Sequence, residues 1–402
     1  MTSVLGAASI SALTSRPSMT LSLYHSPNPN SPLHPIHLLP PELVVHVFML
    51  GSVDDVMFPV LVSHVCHSWR SIALHAYSLW RRVSLSPGSN LDMWKERIYR
   101  ARSCTLDIAL MSGPCLELSH DMIALQMHLL APHLSRSRSL DIQFDRHTLY
   151  LWNAALGPLC RPSSSLWDCQ YFSSYDLPGC KLANQLEALT LRYPRNDDTK
   201  EFTLFGGFAP RLVRLTIQGI HLTWLPDLFG RLVYLDYTHH GFSNGQAAVN
   251  EILSMLQISC RLRDLRFCFV TKVERQESRL VGRFPANEVA TLPFLESLSL
   301  RIDNADVEVP PELTTIVSRL HVPTLKTLHM LDPQTVDGSR HHTPFARLPA
   351  LFDGLSLRAP STTLSDLIVE GRWVEPLLLS SLVTQSISLK TIVVNGITQM
   401  LK

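Results

Sequence analysis

The chain has 402 residues, 46% of them hydrophobic and 17% charged, with a formal net charge of +1. That length asks for two or three structural units, and that composition describes a folded, rather apolar chain, which excludes wholesale disorder. A charge so near zero excludes a general attraction to nucleic acid or to an anionic membrane, and no apolar run reaches transmembrane length.

Residues 1–35 are rich in Ser, Pro and Thr and carry one arginine, Arg16, and no acid. A transit peptide has several arginines, and the weakly apolar run Val4–Leu13 has no basic residue ahead of it. Neither targeting type is expected, so 1–35 reads as a disordered leader.

Residues 36–83 read as a helical module. Leu39-Pro40-Pro41-Glu42 opens it, because proline is pre-set for a first helical turn and Glu42 suits the positive end of the helix dipole. Leu43, Val47 and Leu50 recur at helical spacing, with Val44 and Phe48 beside them. Gly51 is expected to stop this helix, and Ser52 to Asp55 to start the next. A second apolar segment carries Phe58, Leu61, Val62 and Val65, and a third carries Cys66, Trp69, Ile72 and Ala73. Three short helices bury too little surface to stand alone, so the remainder wants a partner.

The order Leu39-Pro40-x-Glu42-Leu43, Val47-Phe48, Val65-Cys66-His67-x-Trp69-Arg70-x-Ile72-Ala73 and Leu79-Trp80 resembles an F-box. The resemblance covers roughly a tenth of the chain. It implies a three-helix module that docks on the Skp adaptor of a cullin–RING ubiquitin ligase. It also implies Leu39, Pro40, Leu43, Val47, Leu61, Val65 and Trp69 as contact or framework positions. Because the chain that follows offers part of this surface a covalent neighbour, Trp80 is expected to join the module to the next segment. Core and interface positions look alike in sequence, so ordinary packing is the competing reading for each.

Residues 84–183 read as a linker helix and irregular first repeats. Asn90–Arg102 forms the helix, with Trp94, Ile98 and Ala101 on one side and Lys95, Arg97, Arg100 and Arg102 on a solvated face. Faint phrases come next at Leu106-Asp-Ile108 and Leu140-Asp-Ile142, and 158–183 reads as an insertion.

Over 184–402 the phrase Leu-x-x-Leu-x-Leu, or a close relative, recurs at intervals of about 29 residues, beginning at Leu186, Leu212, Leu232, Leu262, Leu295, Leu325, Leu364 and Leu389. Between the phrases lie helical stripes: Leu225/Leu228/Phe229/Leu232, Val249/Ile252/Leu253/Leu256, Leu313/Ile316/Val317/Leu320 and Leu348/Leu351/Phe352/Leu355. The expected fold class is therefore α/β: the helical module, then an irregular leucine-rich-repeat solenoid with parallel strands inside and short helices outside. An ordinary α/β domain with parallel strands is the competing reading. The asparagine positions of a regular leucine-rich repeat hold other residues, Pro194, Ile220, His240 and Pro333 among them, so an irregular arc is expected.

Eight cysteines contain no Cys-x-x-Cys pair, which reads as reduced, structural thiols in an intracellular protein of cytoplasm or nucleus. No cofactor or metal site is expected. The adjacent pairs His239-His240 and His341-His342 would point to opposite faces of a strand, and loop histidines are expected instead. Gly241-Phe242-Ser243-Asn244-Gly245 matches Gly-x-Ser-x-Gly between an expected strand and helix, the context of a nucleophile elbow. It has no His-Gly-Gly-Gly stretch upstream, and Ser243 or Asn244 could instead cap the helix. Arg192, Arg214, Asp236, Arg266 and Arg301 would line the inner face of the arc, a mixed-charge surface suited to a protein target rather than a nucleic-acid backbone.

Three functions are carried forward. The first is a non-enzymatic receptor that holds a target for ubiquitin-dependent degradation, bound through Skp to a cullin. The second is a repeat scaffold whose helices merely cap the solenoid. The third is a serine hydrolase using Ser243.

Overall fold

The computed structural model describes residues 35–112, 119–146, 150–160, 183–196, 198–270, 289–303, 308–332, 344–345, 348–354, 363–385 and 388–400. The expected leader, apart from Pro35, most of the expected insertion, Pro333 and the pair His341-His342 lie outside them.

The N-terminal module is α1 (Pro41–Asp54), α2 (Phe58–Ser63), α3 (His67–His75) and a 3-10 turn, Tyr77–Trp80. Pro41 stands at the start of α1, where its missing N–H costs nothing, and Glu42 lies in the first turn. The helix does not stop at Gly51 but runs on to Asp54. The glycine is there for space: a Cβ on it would sit 2.5 Å from the Phe58 ring. Phe48 stands edge-on to Phe58 and Trp69, with ring centroids 6.5 and 5.0 Å apart, and forms the small core with Val44, Val62 and Ala73.

The remaining elements, in chain order, begin with β1 (Arg82–Leu85), α4 (Leu91–Arg100), β2 (Leu106–Met111), α5 (His120–Leu130), β3 (Ser137–Gln143), α6 (Leu151–Leu156), β4 (Ala188–Arg192), β5 (Glu201–Phe202), β6 (Arg214–Gln218), β7 (His221–Leu222) and α7 (Pro226–Phe229). Then come β8 (Tyr234–Thr238), α8 (Gly245–Ile258), β9 (Asp264–Val270), β10 (Ala290–Thr291), β11 (Ser297–Asp303), α9 (Pro311–Ser318), β12 (Leu320–His321), β13 (Thr327–Leu331), α10 (Leu348–Gly354), β14 (Asp366–Val369), α11 (Pro376–Gln385), β15 (Thr391–Val394) and β16 (Ile397–Met400). One large, mostly parallel sheet runs β1-β2-β3-β4-β6-β8-β9-β11-β13-β14-β15-β16, each strand beside its predecessor in the chain. Among the described strands of this sheet only β16 is antiparallel to its neighbour, through a turn at Asn395-Gly396 where both residues have positive φ. The pairs β5–β7 and β10–β12 are separate two-stranded ribbons in the connections.

Each recurring leucine phrase builds the same local unit. Its first leucine is buried, and in six of the eight units it closes a turn: the N–H groups of Leu186, Leu212, Leu232, Leu262, Leu295 and Leu325 each donate to the carbonyl three residues back. The second and third apolar positions, such as Leu189 and Leu191 or Leu298 and Leu300, share the covered face of a strand. A single file of backbone bonds then crosses the sheet, from Lys390 to Ser365, Lys326, Glu296, Arg263, Val233, Val213, Glu187 and Arg138, each N–H donating to the next carbonyl. The helices over the covered face touch in chain order, α5 on α6 and α8 on α9 on α10.

The sheet begins earlier than expected. β1 falls at the boundary placed between the helical module and the linker, and its Val83 and Leu85 join the core. Arg97 of α4 is not on a solvated face. It is 3% exposed, 5.5 Å over the Trp80 ring and 5.6 Å over Trp94, and donates to the carbonyls of Leu79 and Arg82. Burial, joined by the neighbouring Arg82 charge, pulls its pKa down to about 10. Trp80, 1% exposed, donates its indole N–H to the Ala73 carbonyl at 2.8 Å. Module and sheet thus share one continuous core.

Candidate functional site

Three surfaces carry the residues singled out from sequence. On the N-terminal module, α1 is apolar on two sides. Val44 and Phe48 face the core, while Leu43, Val47 and Leu50 are 52%, 49% and 60% exposed. A helix apolar all round belongs in an interior, and here half of it faces water. Leu39 and Pro40 before α1, Leu61 on α2 and Val65 after it are also exposed. Leu38 and Val53, not singled out from sequence, extend the same character at 71% and 63%. Trp69 differs from this set. It is half-buried, edge-on to Phe48, and its backbone N–H is capped by the Cys66 thiol, so it frames the module.

The second surface is the open face of the sheet. Arg192, Arg214, Asp236, Arg266 and Arg301 all lie on it, alternating with the buried leucines. Asp236 is not open to a target, because it is 8% exposed and paired with Arg301 at 3.1 Å. Arg81 and Arg138 are likewise committed to Asp107. Arg214 and Arg266 are exposed and flank Tyr234, their guanidinium carbons 4.5 and 5.3 Å from the ring centre. Arg266 approaches Asp264 only at 3.9 Å. Arg192 sits half-buried on β4, beside β6, and Arg301 on β11, beside β9, at the opposite side of this group.

The third surface surrounds Ser243. β8 ends at Thr238, so the alternation of a strand no longer separates His239 from His240. Both rings are buried, with centroids 4.9 Å apart. The backbone N–H of Phe242 donates to His240 Nδ1 at 2.9 Å, which leaves the proton on Nε2. His240 Nε2 donates it to Glu251 Oε1 at 2.7 Å, and Ser243 Oγ donates to Glu251 Oε2 at 2.7 Å. With its one proton given to Glu251, Ser243 can only accept from His239 Nε2, 3.2 Å away. Burial pushes the Glu251 carboxyl up, but the His240 and Ser243 hydrogen bonds and the nearby His221 outweigh it and hold the group at about 2. A general base works best near the operating pH, far above that value. Asn244 occupies the N-cap position of α8 but makes no side-chain capping bond; the Gly245 N–H donates instead to Glu312 of α9 at 3.1 Å. The cluster therefore fastens α8 to the end of β8 and the loop after it.

His221, His240 and Glu251 also place three ligand-type atoms within 4.8 Å of one another. A metal needs a bare ring nitrogen, and a metal-binding histidine donates its other N–H outward. His240 has the reverse arrangement, so this donor set does not fit a metal ion. His221 and Glu251 were not found from sequence, because β7, the loop after β8 and α8 meet only in the fold.

Among the described residues no helix is long and apolar enough to cross a membrane, and Cys66, Cys104, Cys160, Cys260 and Cys268 form no disulfide there. No curated protein matches the chain. Residues 36–86, the module with its exposed α1 and the first strand of the sheet, match the F-box-like family model and form an F-box-like domain, a type that generally binds Skp1-type adaptors.

Proposed function

We propose that the chain is a non-enzymatic substrate receptor of an SCF-type ubiquitin ligase. The F-box-like domain docks on the Skp adaptor, and through it on a cullin. The sheet, read as an irregular leucine-rich-repeat solenoid over 184–402 with irregular repeats before it, holds a protein target. The observation that carries this is the exposed apolar surface of a module that already has its own core. Leu39, Pro40, Leu43, Val47, Leu61 and Val65 stay open while Val44 and Phe48 are buried. Patches of that kind mark interaction sites.

The repeat reading is supported by strictly sequential strand order and by the single file of backbone bonds that joins successive units. The target surface is the open face around Arg214, Tyr234 and Arg266, with Arg192 and the Arg301–Asp236 pair at its edges. Tyrosine and arginine are the residue types that dominate binding energy in interfaces. Catalysis is by proximity, with the target held where other subunits transfer ubiquitin.

The capping reading also has an observation behind it. Trp80, Arg97 and β1 do seal the module onto the sheet. They do so with a different surface from the exposed side of α1, so the two roles coexist. Co-purification with a Skp adaptor and cullin is the test. Leu43→Asp and Val47→Asp abolish retention of the adaptor while leaving the thermal midpoint unchanged. Full retention by the Leu43→Asp/Val47→Asp double variant refutes the ligase reading and leaves the scaffold.

A further inference from the structure

On the covered side of the sheet, away from the proposed target face, the structure holds a cavity of about 170 Å³ between β6, β8 and α8. A cavity of about 150 Å³ accommodates a benzene, so this one has room for a group of four to six heavy atoms. Its inner wall includes Ile217 and Tyr237, both buried, and Trp224. Its mouth is formed by Glu201 and Ser254, which are exposed, and by the partly exposed His221 and Glu251. Among the described residues no lysine or arginine lines it.

The aromatic walls are fixed in advance. Trp224 stacks on Phe229 with centroids 4.2 Å apart and donates its indole N–H to Ser259 Oγ at 3.2 Å. Tyr237 stacks on Phe267 and stands edge-on to Trp224. The Glu251 carboxylate is fixed as well, each oxygen accepting one hydrogen bond and keeping a second acceptor site. Two carboxylates and two held aromatic rings, with His221 and the Nε2-protonated His240 beside them, line a void the size of a small organic group, a combination suited to a cation. The His240 tautomer argues against a metal ion, and the carboxylates exclude an anion. What remains is a cation that needs a counter-charge and an aromatic face but no nitrogen lone pair.

We propose that this cavity binds an organic ammonium group, a lysine side chain or a small alkylamine, against Trp224 and Tyr237 with Glu251 and Glu201 as counter-charges. The chemistry is the same for both sources.

The test is calorimetric titration of the full chain, with tryptophan fluorescence as a second readout, using tetramethylammonium and n-butylammonium as probes and tert-butanol as the neutral control. Both ammonium ions bind saturably, and tert-butanol does not. Glu251→Gln and Trp224→Leu each weaken binding at least tenfold, and the exposed Glu201→Gln weakens it several-fold without touching the core. A peptide with one lysine that binds more tightly than n-butylammonium, and loses this on acetylation, identifies a partner's side chain as the source. Tighter binding of the free amine identifies a small molecule. Equal binding of tert-butanol, an unchanged affinity in Glu201→Gln and Trp224→Leu together, or displacement of the amine by stoichiometric Zn²⁺ overturns the proposal.

Discussion

Removing the Glu251 charge tests the reading of the Ser243 cluster as a fastening. Glu251 ties β7, the loop after β8 and α8 through His221, His240 and Ser243. A carboxyl held at about 2 rather than 4.5 corresponds to about 3 kcal/mol of stability at neutral pH. The side chain is 31% exposed, so screening by water reduces this, and about 2 kcal/mol is a fair figure. The folded-state pKa is depressed, so this contribution is fully present above pH 4.5 and is lost as pH falls toward 2. Glu251→Gln keeps the shape and removes the charge. Chemical denaturation at pH 7 should show a loss of about 2 kcal/mol against the parent, and at pH 3 the difference should shrink to about 1 kcal/mol or less. Taking the difference between the two proteins cancels the other carboxylates, which titrate alike in both. A gap at pH 3 as wide as at pH 7 would falsify the assignment of the charge to this network. Ser243→Ala, which removes one of the two direct hydrogen bonds to Glu251, should give a smaller loss of the same pH dependence, about 1 kcal/mol at pH 7.

Other expectations concern the joints of the fold. Arg97→Ala removes the stack on Trp80 and Trp94 and strands two carbonyls; a loss of about 3 kcal/mol is expected by denaturant titration, with protease cutting shifted to residues 81–90. Gly51→Ala pushes a methyl into the Phe58 ring and should cost about 1–3 kcal/mol, and the pairing Gly51→Ala with Phe58→Leu should recover part of it. Asp332→Asn leaves Arg372, 8% exposed and held by that carboxylate at 2.8 Å, without its counter-charge; a thermal midpoint unchanged by this variant would contradict a role for the pair in holding β13 to the turn after β14.

How far the sequence revealed this structure depended on how local each cause was. The strands of the leucine phrases were legible because a turn, two apolar positions on one face and a return all fall within about ten residues, and each phrase repeats the lesson. Even the two faint phrases at Leu106 and Leu140 open onto β2 and β3. β16 carried a signal that could have found it, Asn395-Gly396 between apolar runs, the usual mark of a tight hairpin. The outer connections were less legible. The stripe at Leu225–Leu232 yields only the four-residue α7, because Gly230 and the start of β8 cut it short. Arg97 could not be read as buried, since its aromatic partner Trp80 lies on a separate element and its long aliphatic stem suits either environment. The Ser243 cluster was half legible: the motif was visible, but His221 and Glu251 reach it only through tertiary packing, and they decide its chemistry.

The sequential strand order of the sheet turns strand number into a ruler. Neighbouring strands stand about 4.8 Å apart, so the five steps from β1 to β8 place the Tyr234 patch about 24 Å from the end where the F-box-like domain is sealed on. Adding one unit between them would carry the Tyr234 patch outward by about 4.8 Å and turn it by the twist of one strand, about 20–25°. The separation between the F-box-like domain and the Tyr234 patch is therefore set by the number of strands laid down between them.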